Sequence, residues 1–211
     1  FYYAHHMSTI EGGMVCTNDP AIYQYLRMIR SHGMLRESND QQIKDHYSAG
    51  YPDLNPLFIF THPGFNLRNN EIGALIGISQ LSRLDAMVKK RAENFEHFLS
   101  KMPPWVYTDY SLDGQSNYAF NLILNDADPS LMANLEHTLQ ANGIEYRRGS
   151  AGGGNQLRQP YIRNIPRYAS LDPAVATPVT DHIHFYGMYL GNYPELSSQE
   201  IDEICTIINK V

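Results

Sequence analysis

The sequence predicts an α/β chain whose C-terminal part is a compact α+β domain. Three observations lead there. Apolar residues repeat at helical spacing through the middle of the chain, an order of strand, helix, strand, strand and helix follows, and capping signals punctuate both.

In chain order, Met14 to Thr17 is short, apolar and β-compatible, and Asn18-Asp19-Pro20 then supplies a helix start with Pro at an early helical position. The helix that follows is expected from Pro20 to Ser31, with Ile22, Tyr25, Leu26 and Ile29 on one face and Gly33 as its stop. "ESNDQQIKDHY" reads as a surface helix, and "GYPDLNP" and "THPGFNLRNN" as a long, turn-rich excursion that carries function. From Asn70 to Lys101 the spacing of Ile72, Leu75, Ile76, Leu81, Leu84, Met87, Val88, Phe95, Phe98 and Leu99 predicts one long helix, ended by Pro103-Pro104. "SNYAFNLILN" is a strand, "DPSLMANLEHTLQANG" a helix and "IEYRR" a second strand. After a glycine-rich loop and an irregular, proline-containing stretch, "MYLGN" is a third strand, and "SSQE" is a capping box for a final helix through Ile201, Ile204, Ile207 and Ile208. The expected division is 1–69, a linking helix over 70–102, and a small domain over 103–211.

A hydrophobic content of 43% supports a real core, and no run of about 18 apolar residues or basic-then-apolar start suggests a membrane span or signal peptide, so a soluble cytoplasmic protein is expected. Cys16 and Cys205 are too few for a disulfide framework, a four-cysteine zinc site or a cysteine-held cluster, and both are expected to be buried; no metal site is expected. A formal charge of -6 excludes general nucleic-acid binding. Arg147, Arg148, Arg158, Arg163 and Arg167 nevertheless gather within one region that can hold an anion. The first residues are aromatic and motif-like, with no initial Met, which reads as a fragment.

His5 and His6 stand just before "MSTIEGG". Adjacent residues on a strand point to opposite faces, so one metal held by both is disfavoured, and a structural or merely polar histidine is the plainer reading. The hydroxyls, carboxylate and glycines downstream mark a place where backbone can approach a ligand closely. "FNLRNNE" reads as a turn and helix cap, and "RRGSAGGGNQLRQP" as either a solvated basic loop or an anion site, without a P-loop signature.

Taken together, "HHMSTIEGGMVCTND", "RSHGM", "PGFNLRNNEIGALIGISQLSRLD" and "HIHFYGMYLGNYPELSSQEIDEI" resemble, in order and over essentially the whole chain, the fold-type-I pyridoxal-phosphate family of nucleotide-sugar aminotransferases. The resemblance implies the C-terminal part of an aspartate-aminotransferase-like fold: the end of the large cofactor-binding domain plus the small domain. In that family a Lys lies six residues before the Glu of Glu-Gly-Gly and holds the cofactor as an imine; here the position is His5, and the first lysine is Lys44.

A His there resembles a subgroup of sugar 3-dehydratases that bind pyridoxamine phosphate without a covalent link. By that resemblance the activity is a pyridoxamine-phosphate-dependent 3-dehydratase of a nucleotide-linked 4-keto-6-deoxysugar, in deoxysugar and lipopolysaccharide O-antigen synthesis. Two distant cysteines favour the cluster-free type, which regenerates its amine from glutamate. His5 is the implied base, suited by an imidazole's ordinary pKa of about 6.5, with His6 in support or in the reverse role. Glu11, Asn66 and Arg68 are the implied cofactor-binding residues, the last two reaching the phosphate of a partner subunit in a homodimer. Arg147, Arg148, Asn155, Arg158 and, from "GNY", Asn192 are the implied contacts to the nucleotide-sugar substrate. The isolated piece is expected to bind cofactor poorly and to be inactive. The alternatives are a pyridoxal-phosphate-dependent ketosugar aminotransferase and a non-catalytic, degenerate dimer module.

Overall fold

The computed structural model describes residues 1–149 and 153–211, in two units, Phe1–Ser82 and Arg83–Val211. In the first unit, α1 (Pro20–Ile29) starts where Asp19 accepts hydrogen bonds from the Ala21 and Ile22 amides, and α2 (Gln41–Gly50) starts likewise at Asp40. Asn70 caps α3 (Glu71–Leu81) through the Gly73 amide. A small core of Met28, Leu35 and Ile59, flanked by Ile43 and Tyr47, joins α1 to α2 and the turns beyond.

Three expectations fail from here to the start of the second unit. Met14 to Thr17 is not a strand: a β-compatible segment needs a partner for its N–H and C=O groups, and among the described residues none pairs with it. Cys16 is therefore exposed, not buried. The single helix expected from Asn70 to Lys101 is two, α3 and α4 (Leu84–Leu99). Ser82 Oγ donates back to the Ser79 carbonyl at the end of α3, a local bond that competes with helix continuation, while the apolar spacing runs on unbroken from Leu81 to Leu84.

The second unit runs α4, β1 (Ala119–Ile123), α5 (Pro129–Ala141), β2 (Arg147–Arg148), α6 (Pro160–Arg163), α7 (Pro166–Ala169), α8 (Pro173–Ala176), α9 (Pro178–Tyr186), β3 (Gly187–Gly191) and α10 (Ser198–Ile208). Its antiparallel sheet has the order β1-β3-β2, with Phe120 opposite Leu190, Leu122 opposite Met188, and Arg147 opposite Tyr189. "IEYRR" supplies only two ladder residues, because Ile144 and Tyr146 pack onto the core instead of pairing. The stretch expected to be irregular is four short helices, each begun by a proline whose missing N–H has no role in a first turn.

Phe95 and Phe98 of α4, Leu135 and Leu139 of α5, and Ile201, Cys205 and Ile208 of α10 bury the sheet face that carries Phe120, Leu122, Met188 and Leu190. The rings of Phe98 and Phe120 stack at 4.4 Å. Burial pushes the Cys205 thiol up to about 12, so it behaves as a small apolar side chain. Ser197 and Glu200 form the expected capping box of α10. No helix among the described residues is long and apolar enough to cross a membrane.

Phe98→Ala removes one of two stacked, fully buried rings, and should lower unfolding free energy by about 3–5 kcal/mol in urea titrations. On the surface, His97 Nε2 lies 2.9 Å from Asp202 Oδ1 and Lys101 Nζ lies 3.4 Å from it. The His97 hydrogen bond chiefly holds the Asp202 carboxyl below its ordinary value. A depressed folded pKa stabilises above the unfolded value of about 3.9 and is lost as pH falls through the folded value. Asp202→Asn should therefore flatten the acid limb of the stability-against-pH curve below about pH 4 and lower stability at neutral pH, both read from thermal melts.

Candidate functional site

"RSHGM" and "THPGFNLRNN" come together in the first unit through two glycines. A Cβ on Gly33 would sit 1.8 Å from the His62 carbonyl oxygen, and one on Gly64 would sit 2.3 Å from the Gly33 nitrogen. Only glycine fits either place, and Gly33 also holds φ at 76°. The close approach lets Phe65 N donate to Ile29 O and His32 N to Phe65 O, each at 2.7 Å, and Leu67 N to Arg30 O at 2.8 Å. Ser31 is thereby buried opposite Asn66. Its Oγ accepts from Arg68 Nε at 2.9 Å and Nη2 at 2.5 Å, leaving the Arg68 side chain 50% exposed. Arg68 Nη2 also lies 3.7 Å from Glu37.

The His5 segment is a turn: His5 N donates to Tyr2 O at 3.2 Å, and the Tyr2 and His5 rings meet edge to face at 4.7 Å. His5 is exposed and His6 half-buried. Thr9 N donates to Phe1 O, and Thr9 Oγ1 to the carbonyl of Glu11, whose side chain lies at the exposed surface. Ile10 sits at φ 74°, a left-handed conformation that costs a β-branched residue on the order of 1–3 kcal/mol. A Cβ on Gly77 would come within 3.3 Å of Thr9 Cγ2, and one on Gly73 within 3.9 Å of Thr9 Cβ, so the loop lies on the small face of α3. The sequence alone gives no individual role to Ser31, Gly64, Gly73 or Gly77. The four-residue spacing of the two α3 glycines was the available signal.

In the second unit the substrate expectations divide. Asn192 is buried: its Nδ2 donates to the carbonyls of Arg91 at 2.9 Å and Asn117 at 2.8 Å, and its Oδ1 accepts from Asn94 at 3.3 Å. Arg91 Nη1 donates to its carbonyl. Asn155 is buried too, with Nδ2 on Thr177 Oγ1 at 2.9 Å and Asp181 Oδ1 at 3.1 Å, and Oδ1 capping Leu157 N at 3.0 Å. Both amides are engaged within the chain. Arg158 pairs in bidentate fashion with Asp181 at 2.5 and 2.7 Å, which keeps that carboxyl well below its ordinary value. Arg148 reaches Glu136 at 2.9 Å and the Phe185 carbonyl at 2.5 Å, and Arg147 is exposed beside it on β2. Ser150 to Gly152 of the glycine loop lie outside the described residues.

Arg68 is a guanidinium held on the Ser31 hydroxyl, and the motif around His5 is an exposed imidazole followed by small hydroxyl residues, with no lysine before Lys44. The first suits an anionic phosphate and the second proton transfer, and the motif offers no amine for a covalent link. These residue types fit a phosphate-bearing cofactor such as pyridoxamine or pyridoxal phosphate.

The model of the DegT/DnrJ/EryC1/StrS aminotransferase family matches residues 1–209. The chain is 30% identical to a GDP-4-keto-6-deoxy-D-mannose 3-dehydratase of Yersinia pseudotuberculosis, over 99% of this chain and 52% of that protein. A crystal structure of GDP-4-keto-6-deoxymannose-3-dehydratase with a trapped PLP-glutamate geminal diamine has a TM-score of 0.74 at 26% identity, covering 98% of this chain and 53% of that one. A His-to-Asn variant of that enzyme with bound GDP-perosamine matches with the same score, identity and coverage. The chain thus spans about half the length of the curated relatives it matches.

Gly64→Ala should destabilise the first unit and unprotect the His32 and Phe65 amides in hydrogen exchange. Gly50→Ala, whose Cβ meets nothing within 4 Å, should leave both protected. Asn192→Ala strands several buried polar partners and should cost about 2–4 kcal/mol by denaturant titration.

Proposed function

Since the chain belongs to the DegT/DnrJ/EryC1/StrS aminotransferase family, we propose that it serves a pyridoxamine-phosphate-dependent 3-dehydratase acting on a nucleotide-linked 4-keto-6-deoxysugar. The observation that carries this reading is His5, which stands where the resembled family has its cofactor lysine. The similarity to GDP-sugar 3-dehydratases along nearly the whole chain supports it.

Bound here, the cofactor supplies an amine for the sugar C4 ketone and a conjugated system through which an electron pair can expel the C3 hydroxyl. His5 would serve as both base and acid: its ring would accept a proton from the methylene of the bound cofactor and hand a proton to the departing hydroxyl. Its exposure leaves the ring accessible, and the edge-on Tyr2 ring orients it. His6, half-buried beside it, supports the turn. Arg68, fixed on Ser31, and Asn66 hold the cofactor phosphate of a partner subunit, with Glu11 on the same motif as His5. Arg147 and Arg148 meet the substrate diphosphate, with Arg158, paired to Asp181, as a further contact.

The homodimer that this reading requires has surface to bury. Ile72, Leu75, Ile78 and Leu81 of α3 are all more than half exposed within their own unit. Glutamate is the amino donor that restores the amine, and the setting is cytoplasmic synthesis of surface-polysaccharide deoxysugars.

Incubating the full-length protein with pyridoxal phosphate, glutamate and GDP-4-keto-6-deoxymannose should yield a 3-deoxy sugar; an amino sugar as the product identifies an aminotransferase instead. His5→Gln should lower turnover by about 10²-fold or more while cofactor absorbance is retained. Borohydride should fix no cofactor to the resting protein, and a labelled lysine overturns the non-covalent reading.

A further inference from the structure

The glycine-rich loop returns to the body of the second unit at Gly153-Gly154-Asn155, and a histidine meets it there. Asn155 N donates to His184 Nδ1 at 3.2 Å. The ring stands so close that a Cβ on Gly154, at φ 81°, would lie 2.3 Å from the same nitrogen. An N–H that donates to Nδ1 requires a lone pair on it, so the imidazole is neutral with its proton on Nε2. The far end of the loop is braced on the near one: Gly149 N donates to Gly187 O at 2.7 Å, and a Cβ on Gly149 would come within 2.9 Å of Gly154 Cα. Gly149 directly follows β2, which carries Arg147 and Arg148.

We propose that His184 is a positioning residue whose neutral Nδ1 holds the 153–155 turn, and with it the end of the arginine strand, in place until protonation releases it. Protonation at Nδ1 sets one N–H against another, turning the bond into a repulsion. Among the described residues, the charged groups near His184 include Asp181, one turn earlier on α9, Arg158, which bonds Asp181 and lies 4.7 Å over the Phe185 ring, and Arg148 of β2, which donates to the Phe185 carbonyl and pairs with Glu136. Phe185 in turn meets His184 edge to face. The Arg158 hydrogen bond lowers the Asp181 carboxyl, which stays ionised throughout the range of about pH 5–8 in which imidazoles ordinarily titrate. What the arginines bind rests on the nucleotide-sugar reading above; the hold on the turn does not.

The test is hydrogen exchange at the Asn155 amide, with imidazole ¹⁵N shifts, from pH 8 to pH 5 on the full-length protein, His184→Asn and His184→Phe. Asn places an amide oxygen near the site of Nδ1 but does not titrate. Expected are an Nε2-protonated tautomer at pH 8 and protection at Asn155 that falls about tenfold as His184 titrates, after correction for intrinsic exchange. His184→Asn should stay protected at every pH and His184→Phe should be unprotected at every pH. A proton on Nδ1 at pH 8, or wild-type protection independent of pH, overturns the proposal without any variant having to fold. GDP titrations in parallel should show affinity falling with pH in the wild type and flat in His184→Asn. GDP binding by neither protein at any pH counts against the nucleotide-sugar reading and the arginines' part in it, whereas the Asn155 amide alone decides the hold on the turn.

Discussion

The contact between Gly33 and Gly64 is the constraint on which the first unit depends. Two stretches of backbone meet there closer than any side chain allows, and the obstructing atoms are themselves backbone, so no rotamer change can relieve an added Cβ. Each hydrogen bond that the approach permits contributes only about 0.5–1.5 kcal/mol, yet all form together or not at all. The outcome is positional more than energetic: Ser31 faces Arg68, and a long, flexible side chain is held at two of its nitrogens.

The second unit is built on a different principle. Its apolar core fixes the sheet against α4, α5 and α10, and a buried polar node then ties the end of β3 to α4. Asn192 serves because one amide has two donors and an acceptor that each find a partner, three of them fixed in the plane of the group. Its place in a motif near the substrate region invited a ligand role. Burial with every polar atom engaged assigns it to holding the chain ends of that region together. Asn155 repeats the logic on a smaller scale, joining a turn, α9 and the residue before it.

What could be read from the sequence follows from how local each cause is. Asp19, Asp128 and Ser197 cap helices through atoms two or three residues away, so those starts were legible, whereas the start that Asp40 caps lies unmarked inside a stretch read only as a surface helix. The break after α3 was not, since Leu81 and Leu84 keep the apolar rhythm while a serine bond ends the helix. Met14 to Thr17 has strand character but needs a partner that local pattern cannot supply. His5 stands out only by its count from Glu11 against the pattern of the resembled family, for nothing in the residues alone separates it from His6. Gly33 and Gly64 each looked like ordinary turn glycines, because a requirement shared between distant backbones leaves no mark on either neighbourhood.

Under the proposed function, an imidazole in place of an amine at position 5 changes what the remaining residues must do. A covalent link holds a cofactor however loosely its phosphate is gripped; a guest without that link stays only through non-covalent contacts, and each mobile group that makes them loses entropy on binding. An arginine is the costliest such group when free and among the strongest when its fork is already set. Arg68, locked by Ser31 while half its side chain stays accessible, has met that cost in the folding of the chain. On the proposed reading, the glycine pair that puts Ser31 there bears on how the cofactor phosphate is gripped, and the absence of a lysine at position 5 and the rigidity of the guanidinium answer one requirement.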